Sequence, residues 1–521
     1  MKRNIFILLI IASILIVFST LIFASETIKV KDYIKGKFPV IFNIYLSSLG
    51  ELDEYEKEFV DLLQNLPEEE QKNLAKEVYN NGFTLEILEK VKKWEEAKIL
   101  ITEVCGKMET TYSKIHLIVN TTDDIDDGVC DTTHCSLREA INVANKKPEP
   151  DTITFDSKVF LLSGTGVIKL TSPLPEMYGG GTTIDATGAK VTIDGGNLAS
   201  FPGDFRDLRG LHIISSGNTV RGIRIIGMPG SGITITSDEA FRPQWPADNN
   251  TLIGVTVVNN GYGHPPFTSR EDGIVIQARG ASSSASCNKV INCIVEDNAD
   301  DGIIVQVRGG GVGDDNIIMG NVVRGNGENG VEIDAGEDPG SSASRNRVTN
   351  NTVEGHPWSS IVICSDSGGR ADNNIVDSNI VTAGLDSGIC IEVSDPGSCT
   401  SANTVINNTV ENHVKDGIFV GAFLTKGGVA DGNIVKGNTI QRSGGVGIHI
   451  ASDDNLIYHN NIIDNNVQAR DYGINHWDNE GEGNYWSNYT GKDKNRDGIG
   501  DTPYRIPPNG VDNYPLMIPY R

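Results

Sequence analysis

Asp272-Gly273-Ile274, Asp301-Gly302-Ile303, Asn329-Gly330-Val331, Ser359-Ser360-Ile361, Ser387-Gly388-Ile389, Asp416-Gly417-Ile418 and Val446-Gly447-Ile448 open successive copies of one unit. Each copy has an acidic or small residue, usually Gly, an apolar-x-apolar triplet, a loop, and then two Asn-apolar-apolar segments. The second positions are separated by 29, 28, 30, 28, 29 and 30 residues. A fixed period carrying strand-like alternation is the mark of a β-solenoid, whose coils stack and bury one continuous core. The paired asparagines are Asn316 and Asn321, Asn346 and Asn351, Asn374 and Asn379, Asn403 and Asn408, Asn433 and Asn438. Asparagine tolerates left-handed backbone, and amides stacked in register can hydrogen-bond from rung to rung. Roughly ten turns at ~4.8 Å per rung would make a rod of about 50 Å.

Counting columns from each Gly places the first and third following residues inward and the second and fourth outward. The fourth-position column reads Gln277, Gln306, Asp334, Cys364, Glu392, Gly421, Ala451, and the second reads Val275, Ile304, Glu332, Val362, Cys390, Phe419, His449. Glu332, Asp334 and Glu392 thus share an outer face and are the candidate catalytic residues. Gln277, Gln306, Arg279 and Arg308 are the candidate substrate contacts. Asp334 and Glu392 stand two rungs apart, roughly 9–10 Å, near the wide carboxylate spacing of inverting glycosidases. Arginine could take the carboxylate of a uronic acid, with calcium bridging the acids. The competing reading is an ordinary polar outer face. Asp272, Asp300 and Asp301 lie at coil corners, where Asp before Gly recurs at Asp416, as expected of turn residues capping amides. His264, His356 and His413 each precede a coil and read as solvated loop residues rather than a metal or base site.

Length, charge and cysteines set the surroundings. A chain of 521 residues is long for one globular core, but a solenoid grows along one axis. Most of its 58 glycines fall in the repeats rather than in one low-complexity tract and read as turn residues. A net charge of −25 repels phosphate backbones and anionic lipid, so no nucleic-acid partner is expected. Residues 1–25, with Lys2 and Arg3 ahead of an apolar run from Ile5 to Ala24, form a signal peptide or an uncleaved signal anchor. Either sends the remainder across a membrane. Eight cysteines suit that compartment. Cys130 and Cys135 are the strongest local disulfide; Cys287 with Cys293 and Cys390 with Cys399 are also close in sequence.

Residues 26–112 read as an α-helical module, with Tyr55, Phe59, Leu62, Leu63 and Leu66 on one stripe and Leu85, Leu88, Val91 and Trp94 on another. Residues 113–160 follow as a cap. There Ser136 and Glu139 form a capping box, and Leu137, Ala140, Ile141 and Ala144 make one apolar helix face. A solenoid must cover its exposed end, because open strand edges recruit other chains. The run Cys135 to Ala140 resembles the motif of the CSLREA domain, which implies an exported β-helix protein rather than a reaction.

The coils occupy 161–475 and resemble the right-handed parallel β-helix repeats of pectate-lyase-like proteins and of the periplasmic copper-binding NosD family. Residues 476–521 form a second cap, with Asn484-Tyr485-Trp486-Ser487-Asn488-Tyr489 and Asp512-Asn513-Tyr514 resembling the end of NosD-like chains. Within it, Asp493, Asn495, Asp497, Ile499 and Asp501 have the spacing of a calcium loop with Gly498 at its turn, and Asp512 is available to close the shell. A structural calcium is the expected cofactor. Copper is not carried over from the resemblance, because the sequence has no Met-rich or clustered His motif. The resulting expectation is mainly β: a parallel β-helix solenoid with a small helical module and caps. It would be secreted or held at the extracytoplasmic cell surface, contacting the membrane if the signal stays. Its partner is a polysaccharide or cell-envelope component, which it binds or cleaves as a lyase or hydrolase. The alternative is a non-catalytic, calcium-stabilised scaffold or adhesin.

Overall fold

Corner chemistry makes the coil. The computed structural model describes residues 115–521 apart from 147–149, 163–165, 201–206, 241–244, 264–270 and 423–426. The signal segment, the helical module and His264 lie outside the described residues. In each coil the chain turns from one short strand to the next at a residue with positive φ: Gly320 (69°), Asn350 (55°), Ser378 (57°), Asn407 (57°) and Gly437 (65°). These precede the repeated asparagines. The left-handed position therefore belongs to the neighbour, and the repeated spacing of Asn serves another purpose.

That purpose is a ladder. Asn321 Nδ2 donates to Asn351 Oδ1 at 2.9 Å, Asn351 to Asn379 at 3.0 Å, Asn379 to Asn408 at 2.9 Å, and Asn408 to Asn438 at 3.0 Å. Each Oδ1 also accepts the backbone N–H of the preceding rung's asparagine, as Asn379 does from Asn351 at 2.9 Å. All five are buried. The amides thus satisfy main-chain groups that a corner would otherwise strand inside the rod.

Three strands per coil stack into three long parallel sheets among the described residues, of twelve, twelve and ten strands. The coil Ile303–Arg308, Ile317–Met319, Val322–Arg324 is representative. Ile274, Ile303, Val331, Ile361, Ile389, Ile418 and Ile448 stand over one another in register and are fully buried. A Cβ on Gly302 would lie 2.6 Å from Gly330 O, so the tight corner before each stack favours glycine. The architecture is a right-handed parallel β-helix.

Both ends are closed. The helix Leu137–Ala144 has its capping box formed, and Leu137, Ala140, Ile141 and Ala144 join Val119 and Ile153 in the core. Arg138 binds Asp124 at 2.7 Å and the carbonyls of Ser172 and Pro173, pinning the cap to the first coils. At the far end Trp477 and Trp486 are buried, and Trp486 stacks on Tyr504 with ring centroids 4.1 Å apart. Cys130 and Cys135 are disulfide-bonded. Cys287, Cys293, Cys390 and Cys399 are free thiols, so the two other local pairs do not form.

His356 and His413 are buried rather than solvated. They occupy the ladder column of Asn298 and Asn326: His356 Nε2 lies 3.3 Å from Val323 O and His413 Nε2 3.2 Å from Val381 O, where Asn326 Nδ2 meets Val295 O at 3.1 Å. Burial lowers both imidazoles to about 4, so they are neutral spacers.

Candidate functional site

The ten-stranded sheet carries the candidate site on its outer face. Register pairs Gln277 with Gln306, Gln306 with Asp334, Asp334 with Cys364, and Cys364 with Glu392. Glu332 lies beside Asp334 on one strand, opposite Val362. The two carboxylates and the Cys364 thiol each place one ligand-type atom within 4.8 Å of the others. Glu392 sits two rungs from Asp334, beyond Cys364, and accepts from Cys390 Sγ at 3.3 Å.

The arginines differ in role. Arg308 is mostly buried and pairs with Asp334, with Glu337 at 3.6 Å. Arg279 is about half exposed and reaches Glu337 at 3.5 Å. Gln277 donates to Gln306 Oε1 at 2.6 Å, so the glutamines form a short rung-to-rung ladder of their own.

Burial dominates the electrostatics. It pushes Glu332 well above the usual carboxylate range, helped by the charges of Asp301 and Asp334. Burial also raises Asp334, against the opposing pull of Arg308. Glu392 is raised by burial, with its Cys390 hydrogen bond acting the other way. Asp272 and Asp301 are pushed well above their ordinary range by burial and by neighbouring aspartates. Both also cap the next rung, Asp272 Oδ1 accepting from Asp301 N at 3.1 Å and Asp301 Oδ1 from Asn329 N at 2.7 Å.

Beside this cluster, toward the N-terminal end of the sheet, opens a groove of about 1010 Å³. Arg209, His212, Trp245, Gln277, Arg279 and Gln306 contribute to its walls, and Asp272 and Asp300 reach its edge. Arg209 and His212 fall in the irregular early coils, where no period can be counted. Nothing in the sequence columns marked them.

The Asp493–Asp501 loop is arranged differently from the expectation. Asp493 accepts from Arg496 N at 2.6 Å and Gly498 N at 3.0 Å. Asp497 accepts from Ile499 N at 2.9 Å and from Asn495 Nδ2 at 2.8 Å. Asp501 accepts from Lys494 N at 3.0 Å. Asp512 is buried, taking the Asn484 amide and the Trp486 indole N–H, both at 2.8 Å. These oxygens cap their own turns.

The architecture defines a class, the parallel β-helix proteins with a groove along one sheet. Within that class, residues 267–491 match the family described as "Periplasmic copper-binding protein (NosD)". The resemblance of the repeats to NosD therefore holds over that stretch. The chain is 36% identical over 91 residues to the "Probable ABC transporter binding protein NosD" of Stutzerimonas stutzeri and 37% identical over 91 residues to that of Pseudomonas aeruginosa. Each match takes in 17% of this chain, and the chain spans about a fifth of the length of these curated relatives. The Dettilon tailspike protein is a similar solved structure, at a TM-score of 0.40 and 15% identity, covering 67% of this chain and 68% of its own. The family description agrees with an extracytoplasmic chain. Among the described residues no helix is long and apolar enough to cross a membrane.

The calcium expectation is corrected by the same comparison, since the matched family is described by copper and not calcium. The loop agrees: among the described residues, the acidic groups close enough together to hold an ion do not include Asp493, Asp497, Asp501 or Asp512, and Asp512 is engaged by the Asn484 amide and the Trp486 indole. Copper itself needs a fit. Within 267–491 the described group with metal-ligand spacing is Glu332, Asp334 and Cys364. It offers one thiol and two hard carboxylates, with the Arg308 guanidinium already on Asp334. Imidazoles are elsewhere: His356 and His413 are ladder spacers, and His449 binds Asp416 at 2.7 Å. With a single thiol and no imidazole, this set does not supply the nitrogen or multiple sulfur ligands that copper favours, and no copper chemistry is derived from it.

Proposed function

We propose that this extracytoplasmic β-helix protein binds a polysaccharide chain lengthwise in the groove beside Glu332 and Asp334. The groove itself carries the reading. It is large enough for several sugar rings, it is lined by successive strands of the ten-stranded sheet, and it combines a half-exposed Trp245 with Arg279 and amide side chains. An indole offers an amphipathic flat surface, and arginine pairs bidentately with carboxylates such as those of uronic acids. Burial raises Asp272, Asp301 and Glu332 toward their neutral forms, which lessens the repulsion an acidic polymer would meet.

One observation favours cleavage in addition to binding. Glu332 and Asp334 have oxygens within 4.8 Å, close to the ~5–5.5 Å between carboxyl groups in retaining glycosidases. A carboxyl raised by burial, as Glu332 is, is suited to donate to a leaving oxygen, with Asp334 held by Arg308 as its partner.

The test is a screen of the full chain against polygalacturonate, alginate and neutral glycans by affinity electrophoresis and reducing-end release. Retention of an acidic polymer, weakened at least tenfold in Arg279→Ala, is expected. Release of ends that disappears in Glu332→Gln supports the enzyme. Binding without release supports a scaffold, and no retention of any polymer rules out the groove reading.

A further inference from the structure

The N-terminal cap holds a second cluster that the β-helix groove does not use. The turn Asp131–His134, closed by Asp131 N donating to His134 O at 2.9 Å, lies inside the Cys130–Cys135 disulfide loop and presents His134 to the helix start. His134 Nδ1 is buried and makes no hydrogen bond. It stands 3.1 Å from Glu139 Oε2 and 3.6 Å from Asp127 Oδ2. A tetrahedral ion with bonds of about 2.0–2.1 Å has ligand-to-ligand edges of roughly 3.3 Å, and these separations bracket that value.

The surroundings orient all three groups. His134 Nε2 lies 3.1 Å from Asp123 Oδ1, the carboxylate–histidine relay that fixes a ligating ring with its other nitrogen turned to a metal. Asp127 Oδ1 accepts from Val129 N at 3.0 Å, which leaves Oδ2 facing the histidine. Glu139 is buried; its Oε1 accepts from Asp127 N at 2.7 Å and its Oε2 from Ser136 N at 2.8 Å. Asp127 is about half exposed, so an ion has a way in and room for a water.

We propose that His134, Glu139 and Asp127 form a metal site for a borderline divalent ion such as zinc(II), with Asp123 as the positioning residue behind His134. One imidazole with two carboxylates suits first-row divalent ions better than calcium or magnesium, which take oxygen alone. The site would bind the cap's acidic loop to the helix that closes the rod.

The competing explanation is an imidazolium held by three carboxylates. Chelator-treated full-length protein is titrated with Zn2+ by calorimetry, with Ca2+ in excess as competitor, and with Cu2+ for electron paramagnetic resonance. Expected are one Zn2+ equivalent undisturbed by Ca2+, and a Cu2+ spectrum with a single nitrogen ligand that His134→Ala abolishes. Asp127→Asn alters an exposed side chain, so the variant is expected to fold. It should weaken Zn2+ at least tenfold with an unchanged circular dichroism spectrum. Zn2+ uptake absent in the wild type, displaced by Ca2+, or equal in both variants and the wild type overturns the site.

Discussion

Asp512 shows how much one buried side chain can impose. It is fully enclosed, and burial raises it to about 6 despite its three donors, Asn484 N, Trp486 Nε1 and Tyr514 N. A folded value above the unfolded one means the folded state holds the proton more tightly. Its contribution is therefore complete below about pH 4 and is lost as pH rises through 6. Asp512→Asn removes that dependence at a constant cost from the amide it no longer accepts. Urea unfolding should show the variant gaining on the wild type between pH 4 and 7, on the order of 2–3 kcal/mol; parallel profiles would refute this. At this scale the sequence was least readable. Oxygen-bearing residues at alternate positions around Gly498 suit a calcium loop and a set of amide-capping turns alike. Which of the two forms depends on backbone direction, and spacing does not encode it. His134 escaped notice for a related reason: Glu139 already had a role in the capping box, and nothing local showed that the same carboxylate would face an imidazole.

Elements were far more legible, because a strand's period of two and a coil's period of 28–30 residues together set every column. Glu332, Asp334 and Glu392 fall on the outer face where counting put them, in the register expected. The count also missed something. His356 and His413 stand in an asparagine column, and only stacking reveals that an imidazole can replace a carboxamide there. The ladders lead to a quantitative expectation. Asn379→Ala leaves the Asn351 N–H and Nδ2 without their acceptor and removes the donor to Asn408. Each orphaned buried group costs roughly 1–3 kcal/mol. Thermal and urea denaturation should show a loss of at least that size, whereas Asn407→Gly, at a left-handed corner with an exposed side chain, should be nearly neutral. Equal losses at both positions would mean the ladder has no special weight.

For the molecule as a whole, stability is a chain of nearest-neighbour terms, and the ends matter most. Trp486 seals the last rung of the second sheet through Tyr504 and Asp512. Trp486→Ala should loosen that seal and expose strand edges able to recruit another copy. Light scattering is expected to show concentration-dependent association of the variant, with circular dichroism of the sheets retained; a monodisperse variant would show that the edge is guarded by something else.

Because each coil touches only the ones above and below, its 28 residues are interchangeable cargo. Excising Gly302 to Asn329 would join Asp301 to Gly330, seat Ile274 directly on Val331, reconnect the Asn288 ladder at Asn346 and set Asn298 against His356. The wall would then be redrawn without any point substitution. Gln277 would face Asp334, and Arg279 would inherit the place of the deleted Arg308. A lineage could lengthen, shorten or re-space its acids by copying or dropping whole storeys, changing which chain fits the trough while leaving the masonry sound.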